Sequence, residues 1–273
     1  MKKILFMSDV DGTLVDGGYI HPRVLEAARE FTARGHLFAL ATGRHKFSIG
    51  ALCEQLPVNA PCIILAGAAT YDSATGKCGN LLPMEEGVKA ALARIVAEYP
   101  EELAVQVFTA RTQFNLRLND FMRRYGIAEE VGKPDAPLSA LQGEQILKLG
   151  FNCEDTAVLE RCAAEFFSDK NRYEWHYSFR IGIEVCHPMA GKGNALRRLL
   201  EAGDVRADCI AVAGDSANDL PLFPCADVRF APRDAAAEVL ERADHVVAAA
   251  REGGVDKFYV VFADAAAQQA ALR

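Results

Sequence analysis

Asp9 and Asp11 close the apolar run ILFM in the stretch ILFMSDVDGTLVDGG, residues 4–18. Two carboxylates that close repel and raise each other's pKa unless something positive lies between them. A second acidic stretch, GDSAND (214–219), follows the apolar CIAVA and sets Asp215 and Asp219 four residues apart. Thr42, Gly43 and Arg44 follow LFALA in the same way. Oxygen ligands without a ligand-spaced His or Cys cluster suit Mg²⁺ better than Zn²⁺. Backbone N–H groups where helices begin can hold an anion, and metal and amides together suit a phosphate. Lys192, in MAGKGNALRRLL, adds a positive charge able to reach both a phosphate and an aspartate.

Each motif also has a plain reading. A lone Asp-Gly or Asn-Asp pair is ordinarily a surface turn, and Asp215 with Asp219 could cap the helix that follows. Their joint placement at the ends of apolar strands is what favours a site. The GKG around Lys192 is not a nucleotide P-loop, because Cys186 stands where the first Gly is needed and Gly193 where Ser or Thr is needed. No histidine has a ligand-spaced partner, and neither Ser8 nor Ser216 lies in a GxSxG elbow, so a serine hydrolase is unsupported.

The elements that must position these residues alternate. ILFM, LFALAT and CIILAG read as short apolar strands, separated by the helical HPRVLEAAREFTARG and HKFSIGALCEQL. In the first helix Val24, Ala28 and Phe31 share a face, and Gly35 stops it. This is an α/β chain with a doubly wound, Rossmann-like parallel sheet. A hairpin is expected within 70–82. From Met84 to about Pro188, strands such as RIGIEVC set Arg180, Gly182 and Glu184 against Ile181, Ile183 and Val185, as in an antiparallel sheet with helices on one side. Tyr173, Trp175 and Tyr177 fall on one side of a strand, as packing residues would. The last third (GKGNALRRLLEAG, CIAVAG, DVRFA, DAAAEVLERA, HVVAA) resumes the first sheet, and FADAAAQQAALR reads as a helical tail. The expected layout is a core domain of 1–83 and 189–273 with an inserted α+β domain at 84–188. Ligands of such a sheet bind outside the carboxyl ends of its strands, where Asp9, Asp11, Thr42, Asp215 and Asp219 would converge.

Composition narrows the partners. A chain of 273 residues with net charge -7 and no basic tract suits neither nucleic acid nor an anionic membrane. The apolar run in MKKILFMSD is too short for a signal peptide or a membrane span, and the reading is cytoplasmic. Eight cysteines without a CxxC pair read as reduced, mostly buried thiols. Oligomeric state is not legible.

Taken together, DVDGT (9–13), Thr42, Lys192 and GDSAND resemble, in order and spacing, the four motifs of the haloacid dehalogenase superfamily. The insertion between the second and third resembles the C2-type cap of its Cof-type, sugar-phosphatase-like branch. The resemblance implies Asp9 as nucleophile, forming an aspartyl-phosphate, and Asp11 as general acid and base. It implies Mg²⁺ held by Asp9, the backbone carbonyl of Asp11 and Asp215, with Asp219 orienting the set. Thr42, Gly43, Lys192, Asn218 and the amides after Asp11, from Gly12 on, would bind phosphoryl oxygens. Arg44 and Arg180 are candidates for contacting the leaving group. The implied reaction is Mg²⁺-dependent hydrolysis of a small phosphorylated metabolite, a sugar phosphate foremost. A phosphotransferase or mutase would use the same residues. A non-enzymatic phospho-acceptor would cluster aspartates similarly, but the insertion argues against that compact design. Two departures are Ala66 before Gly67, where relatives carry Asn-Gly, and FAPRDA (230–235), where they carry Met-Gly-Asn-Ala.

Overall fold

Five apolar strands form one wholly parallel sheet in the order His245–Val247, Val228–Pro232, Cys209–Ala213, Ile4–Ser8, Leu37–Leu40. They belong to a computed structural model that describes residues 2–124 and 136–256. Ile4–Ser8 is buried along its whole length, which suits a central strand covered on both faces. Leu37–Leu40 lies on one side of it, while the later strands all lie on the other. The strand order therefore reverses at Ile4–Ser8, the place where an open α/β sheet leaves a crevice at its carboxyl edge. A single parallel bridge, Ala41 to Ile63, links the strand Cys62–Ile64 beyond Leu37–Leu40.

The first helix, Pro22–Ala33, has His21 as its N-cap and buries Val24, Ala27, Ala28 and Phe31, the face expected from their spacing. The strands Ala69–Asp72 and Lys77–Gly79 form the expected hairpin. The segment after CIAVA is a 3₁₀ helix, Ala217–Cys225, since Pro221 and Pro224 lack the N–H groups an α-helix needs. DAAAEVLERA yields only a short helix, Ala237–Leu240. The tail FADAAAQQAALR lies outside the described residues.

The chain divides into two compact units, Met1–Gly43 with Ile49–Lys77 and Gly191–Arg273, and Arg44–Ser48 with Cys78–Ala190. The second unit is an antiparallel sheet in the order Glu174–Phe179, Gly182–Cys186, Lys148–Asn152, Ala104–Phe108, Gln113–Arg117. One face packs Val105, Val107, Leu149, Phe151, Ile183 and Val185 against the helices Val88–Glu98 and Thr156–Phe166. Tyr173 and Trp175 join that apolar cluster, whereas Tyr177 is exposed and hydrogen-bonds to Glu160. The short segment Arg44–Ser48 groups with this unit, and its His45 is buried. His45 Nε2 lies 2.9 Å from the Thr109 carbonyl, which can only accept, so that nitrogen carries the proton.

Candidate active site

Strand register brings the acidic motifs level. Ser8 pairs with Ala213 and with Leu40, and the Asp9 amide donates to the Ala213 carbonyl at 2.9 Å. Asp9, Thr42 and the 214–219 turn therefore leave the sheet at one edge.

After Asp9 the chain folds back at once, with the amides of Leu14 and Val15 donating to Val10 and that of Gly12 to Val15. Gly12 has φ +83°, and a Cβ there would lie 2.5 Å from Asp215 Oδ2. Only glycine allows both the left-handed turn and the approach of that carboxylate. Thr13 is buried and donates to Asp215 Oδ1 at 3.0 Å. Sequence reasoning placed Thr13 within the motif without giving it a role. Its signal was the hydroxyl two residues after Asp11, at the start of a buried run.

Asp219 has two tasks. It completes a capping box with Ser216, and its Oδ2 accepts from the amides of Asp215 and Ser216 at 3.0 and 3.1 Å. Its Oδ1 lies 2.5 Å from Lys192 Nζ, which is also 2.6 Å from Asp9 Oδ1. The plain helix-cap reading of Asp219 is thus correct, and so is its place beside the lysine.

Lys192 reaches this position because it opens the helix Lys192–Glu201, packed closely against Ala217–Cys225. A Cβ on Gly193 would collide with the Pro221 carbonyl. The glycine after the lysine is therefore there for helix packing. The Gly191 amide donates to Ala66, whose own amide donates to Thr42, and Thr42 in turn donates to the Ile63 carbonyl at 2.9 Å. Ala66 holds φ +53°, a left-handed conformation that Asn adopts more readily than Ala. The FAPRDA segment ends at the Asp215 backbone, where the next amide, that of Ala236, donates to the Asp215 carbonyl at 2.8 Å.

The electrostatics are those of a cation site. Lys192, Asp9 and Asp219 are 2%, 6% and 0% exposed, so their charges interact with little solvent screening. Burial works against the charge on Lys192, but Asp219 and Asp9 outweigh it and hold its pKa above the ordinary lysine value. Burial pushes Asp9 well up, with Lys192 opposing and Asp219 and Asp215 adding to the rise. Asp215 is raised by burial and by Asp219. One lysine does not neutralise three carboxylates. Ligand oxygens of Asp9, Asp215 and Asp219 all lie within 4.8 Å of one another, a group of hard donors that fits a divalent cation.

The structure thus gathers Asp9, Gly12, Asp215, Asp219 and Lys192, with Asp11 exposed on the turn after Asp9 and Thr42 buried at the next strand end. Asn218 sits on the same turn as Asp215, its Oδ1 accepting from Ser216 at 3.0 Å, and Gly43 follows Thr42. Arg44 and Arg180 belong to the second unit. There Arg44 donates to the Ser48 carbonyl at 3.4 Å, and Arg180 is exposed on the turn before Gly182–Cys186.

A doubly wound sheet with carboxylates and a buried lysine at its reversal point defines an α/β enzyme of the kind whose site lies at the carboxyl edge. The chain belongs to the haloacid dehalogenase-like hydrolases, whose family profile matches residues 6–258. It is 25% identical over 274 residues to the 5-amino-6-(5-phospho-D-ribitylamino)uracil phosphatase YwtE of Bacillus subtilis, covering 92% of this chain and 94% of that one. Among solved structures, a Thermotoga maritima protein superposes with a TM-score of 0.80 at 24% identity, covering 95% and 97% of the two chains. A subclass IIB sugar phosphatase of the same superfamily gives 0.78 at 18% identity, covering 96% and 99%. No helix among the described residues is long and apolar enough to cross a membrane.

Proposed function

We propose that this hydrolase is a Mg²⁺-dependent phosphatase of small phosphate monoesters, sugar phosphates foremost, working through a phosphorylated Asp9. The observation that carries the reading is the buried Lys192 bridging Asp9 and Asp219, with Asp215 beside them. Both relatives named as phosphatases support the reaction class.

Lys192 fixes one Asp9 oxygen and leaves the other for in-line attack on phosphorus. As the Asp9–phosphorus bond forms, the ester P–O bond breaks and Asp11 gives a proton to the departing alkoxide. Asp11 then takes a proton from water as that water attacks phosphorus, and the Asp9–phosphate bond breaks to release inorganic phosphate. Thr42, Gly43, Asn218 and the amides from Gly12 on hold the transferring oxygens. Asp9, Asp215 and the Asp11 carbonyl would hold the metal. Asp219 is left out because its oxygens are already taken by Lys192, two amides and a hydroxyl. When bound, the ion offsets repulsion between the anionic nucleophile and the phosphate. Arg44 and Arg180, both in the second unit, are the candidates for contacting the leaving group.

The test is phosphate release from a panel of sugar phosphates and other small esters, with and without Mg²⁺. Metal-dependent release that falls by at least about 10³-fold in Asp9→Asn is expected. Metal binding without release from any ester would overturn the hydrolase reading. An isomerised ester without free phosphate would reassign the protein as a mutase.

A further inference from the structure

The strand Cys62–Ile64 runs into Leu65, Ala66 and Gly67, buried residues with φ of +50°, +53° and +91°. Two L residues in succession thus hold the left-handed conformation, which their Cβ atoms disfavour. Such a run persists only where its surroundings over-determine it. Hydrogen bonds tie it down on both sides. The Ala66 amide donates to the Thr42 carbonyl at 3.1 Å, the Gly191 amide to the Ala66 carbonyl at 2.8 Å, and Arg198 Nη2 to the Gly67 carbonyl at 2.8 Å. The run is also pressed against Gly191, since a Cβ on Gly67 would lie 2.3 Å from the Gly191 carbonyl oxygen. All of these residues belong to one unit.

Gly191 is the N-cap of the helix Lys192–Glu201, and Arg198 lies about 9 Å beyond Lys192 along the same helix. The helix therefore grips the run at two points, and the run in turn holds Thr42. We propose that Arg198 is a positioning residue for the reaction: its guanidinium keeps Leu65–Gly67 left-handed and so sets Lys192 and Thr42 relative to each other. The proposal rests on the reading of those two residues as active-site groups.

The guanidinium is the part of this clasp that depends on side-chain identity. The bonds at Ala66 and Gly191 are made by backbone amides that any residue but proline would supply, whereas the Gly67 carbonyl accepts from a side chain. A charged donor also binds a carbonyl more firmly than a neutral amide does. Once it is gone, the Gly67 peptide turns and the two L residues relax toward negative φ. That relaxation swings the Ala66 amide away from Thr42 and the Ala66 carbonyl away from Gly191. Thr42 then loses a bond that fixes it, and the start of the helix carries Lys192 away from Asp9, which it holds at 2.6 Å. A displacement of about 1 Å costs on the order of 100-fold in rate.

Hydrogen exchange and kinetics on the full chain test this together. In Arg198→Met the amides of Ala66 and Gly191 should exchange at least about tenfold faster while those of Ile4–Ser8 stay as in the parent. In the same variant kcat for a hydrolysed phosphate ester should fall about 10–100-fold. Arg198→Lys keeps a charged donor and should lose less. Arg197→Met, the same loss of charge one residue away, should leave exchange at both amides as in the parent. Adding Ala66→Gly to Arg198→Met should restore kcat roughly tenfold, since glycine is left-handed without the cost. A loss of packing alone would instead worsen with the more pliable glycine. Unchanged exchange at Ala66 and Gly191 would overturn the proposal. So would faster exchange throughout the chain, faster exchange with kcat unaltered, or no recovery in the double variant. A parent that hydrolyses no ester fails the phosphatase reading, and the exchange rates then decide the clasp by themselves.

Discussion

Lys192 meets two buried carboxylates with a single charge, and that imbalance sets what substitutions do. Lys192→Met strands Asp9 and Asp219 without a counter-charge, and removing one partner of a buried pair costs about 3–5 kcal/mol. Asp9→Asn does the opposite, since it removes one of three crowded negative charges and leaves the Lys192–Asp219 contact in place. In metal-free buffer, urea titrations should therefore find Lys192→Met unfolding at much lower denaturant, and Asp9→Asn no less stable than the parent. An Asp9→Asn protein destabilised as much as Lys192→Met would sink this account of the charges. If the proposed reaction is right, both substitutions should end turnover, so that stability and activity separate at Asp9 and fall together at Lys192.

At the scale of elements, the site depends on how closely Lys192–Glu201 approaches Ala217–Cys225. Gly193→Ala places a methyl group against the Pro221 carbonyl and must push the two helices apart. Overpacking of this kind costs about 1–3 kcal/mol. It should also draw Lys192 away from Asp9, lowering kcat for phosphate esters while the far-ultraviolet circular dichroism stays unchanged. Unaltered kcat would mean that the contact is not what places the lysine. This element also marks where sequence reading ran out. Strand ends and acidic turns are local patterns, so Asp9, Asp215 and the parallel sheet were legible from ILFM and CIAVA. The GKG was not, because the surface that requires Gly193 lies on another segment. Nor was the left-handed Ala66, where no glycine or asparagine announces the conformation. The placement of Arg44–Ser48 with the second unit escaped notice for the same reason, since contacts such as that of His45 with Thr109 join residues 64 positions apart.

For the molecule as a whole, stability and metal are linked through the raised carboxylates. Asp9 and Asp215 hold protons more tightly folded than unfolded. Their contribution to stability is thus whole below the ordinary carboxylate pKa and is lost as pH rises through the raised values. A cation that binds only the native state adds about 2.7 kcal/mol at a hundredfold excess over its Kd. The rise in melting temperature on adding Mg²⁺ should grow as pH climbs through that window, because protons compete for the same oxygens. Scanning calorimetry with Mg²⁺ and with a chelator checks this, and an increment independent of pH would contradict it.

The central strand Ile4–Ser8 has a further consequence for how the chain is made. Its neighbour on one side is Cys209–Ala213, and Lys3 and Asp208 at their near ends are 205 positions apart in sequence. During synthesis that edge of Ile4–Ser8 leaves the ribosome long before its partner exists, an apolar strand with unpaired amides, open to wrong pairing. The strands of the antiparallel unit all emerge before Cys209, so that unit can complete itself first. Asp9 is translated well before Lys192, so it has no lysine beside it until the later part of the chain returns to close the sheet.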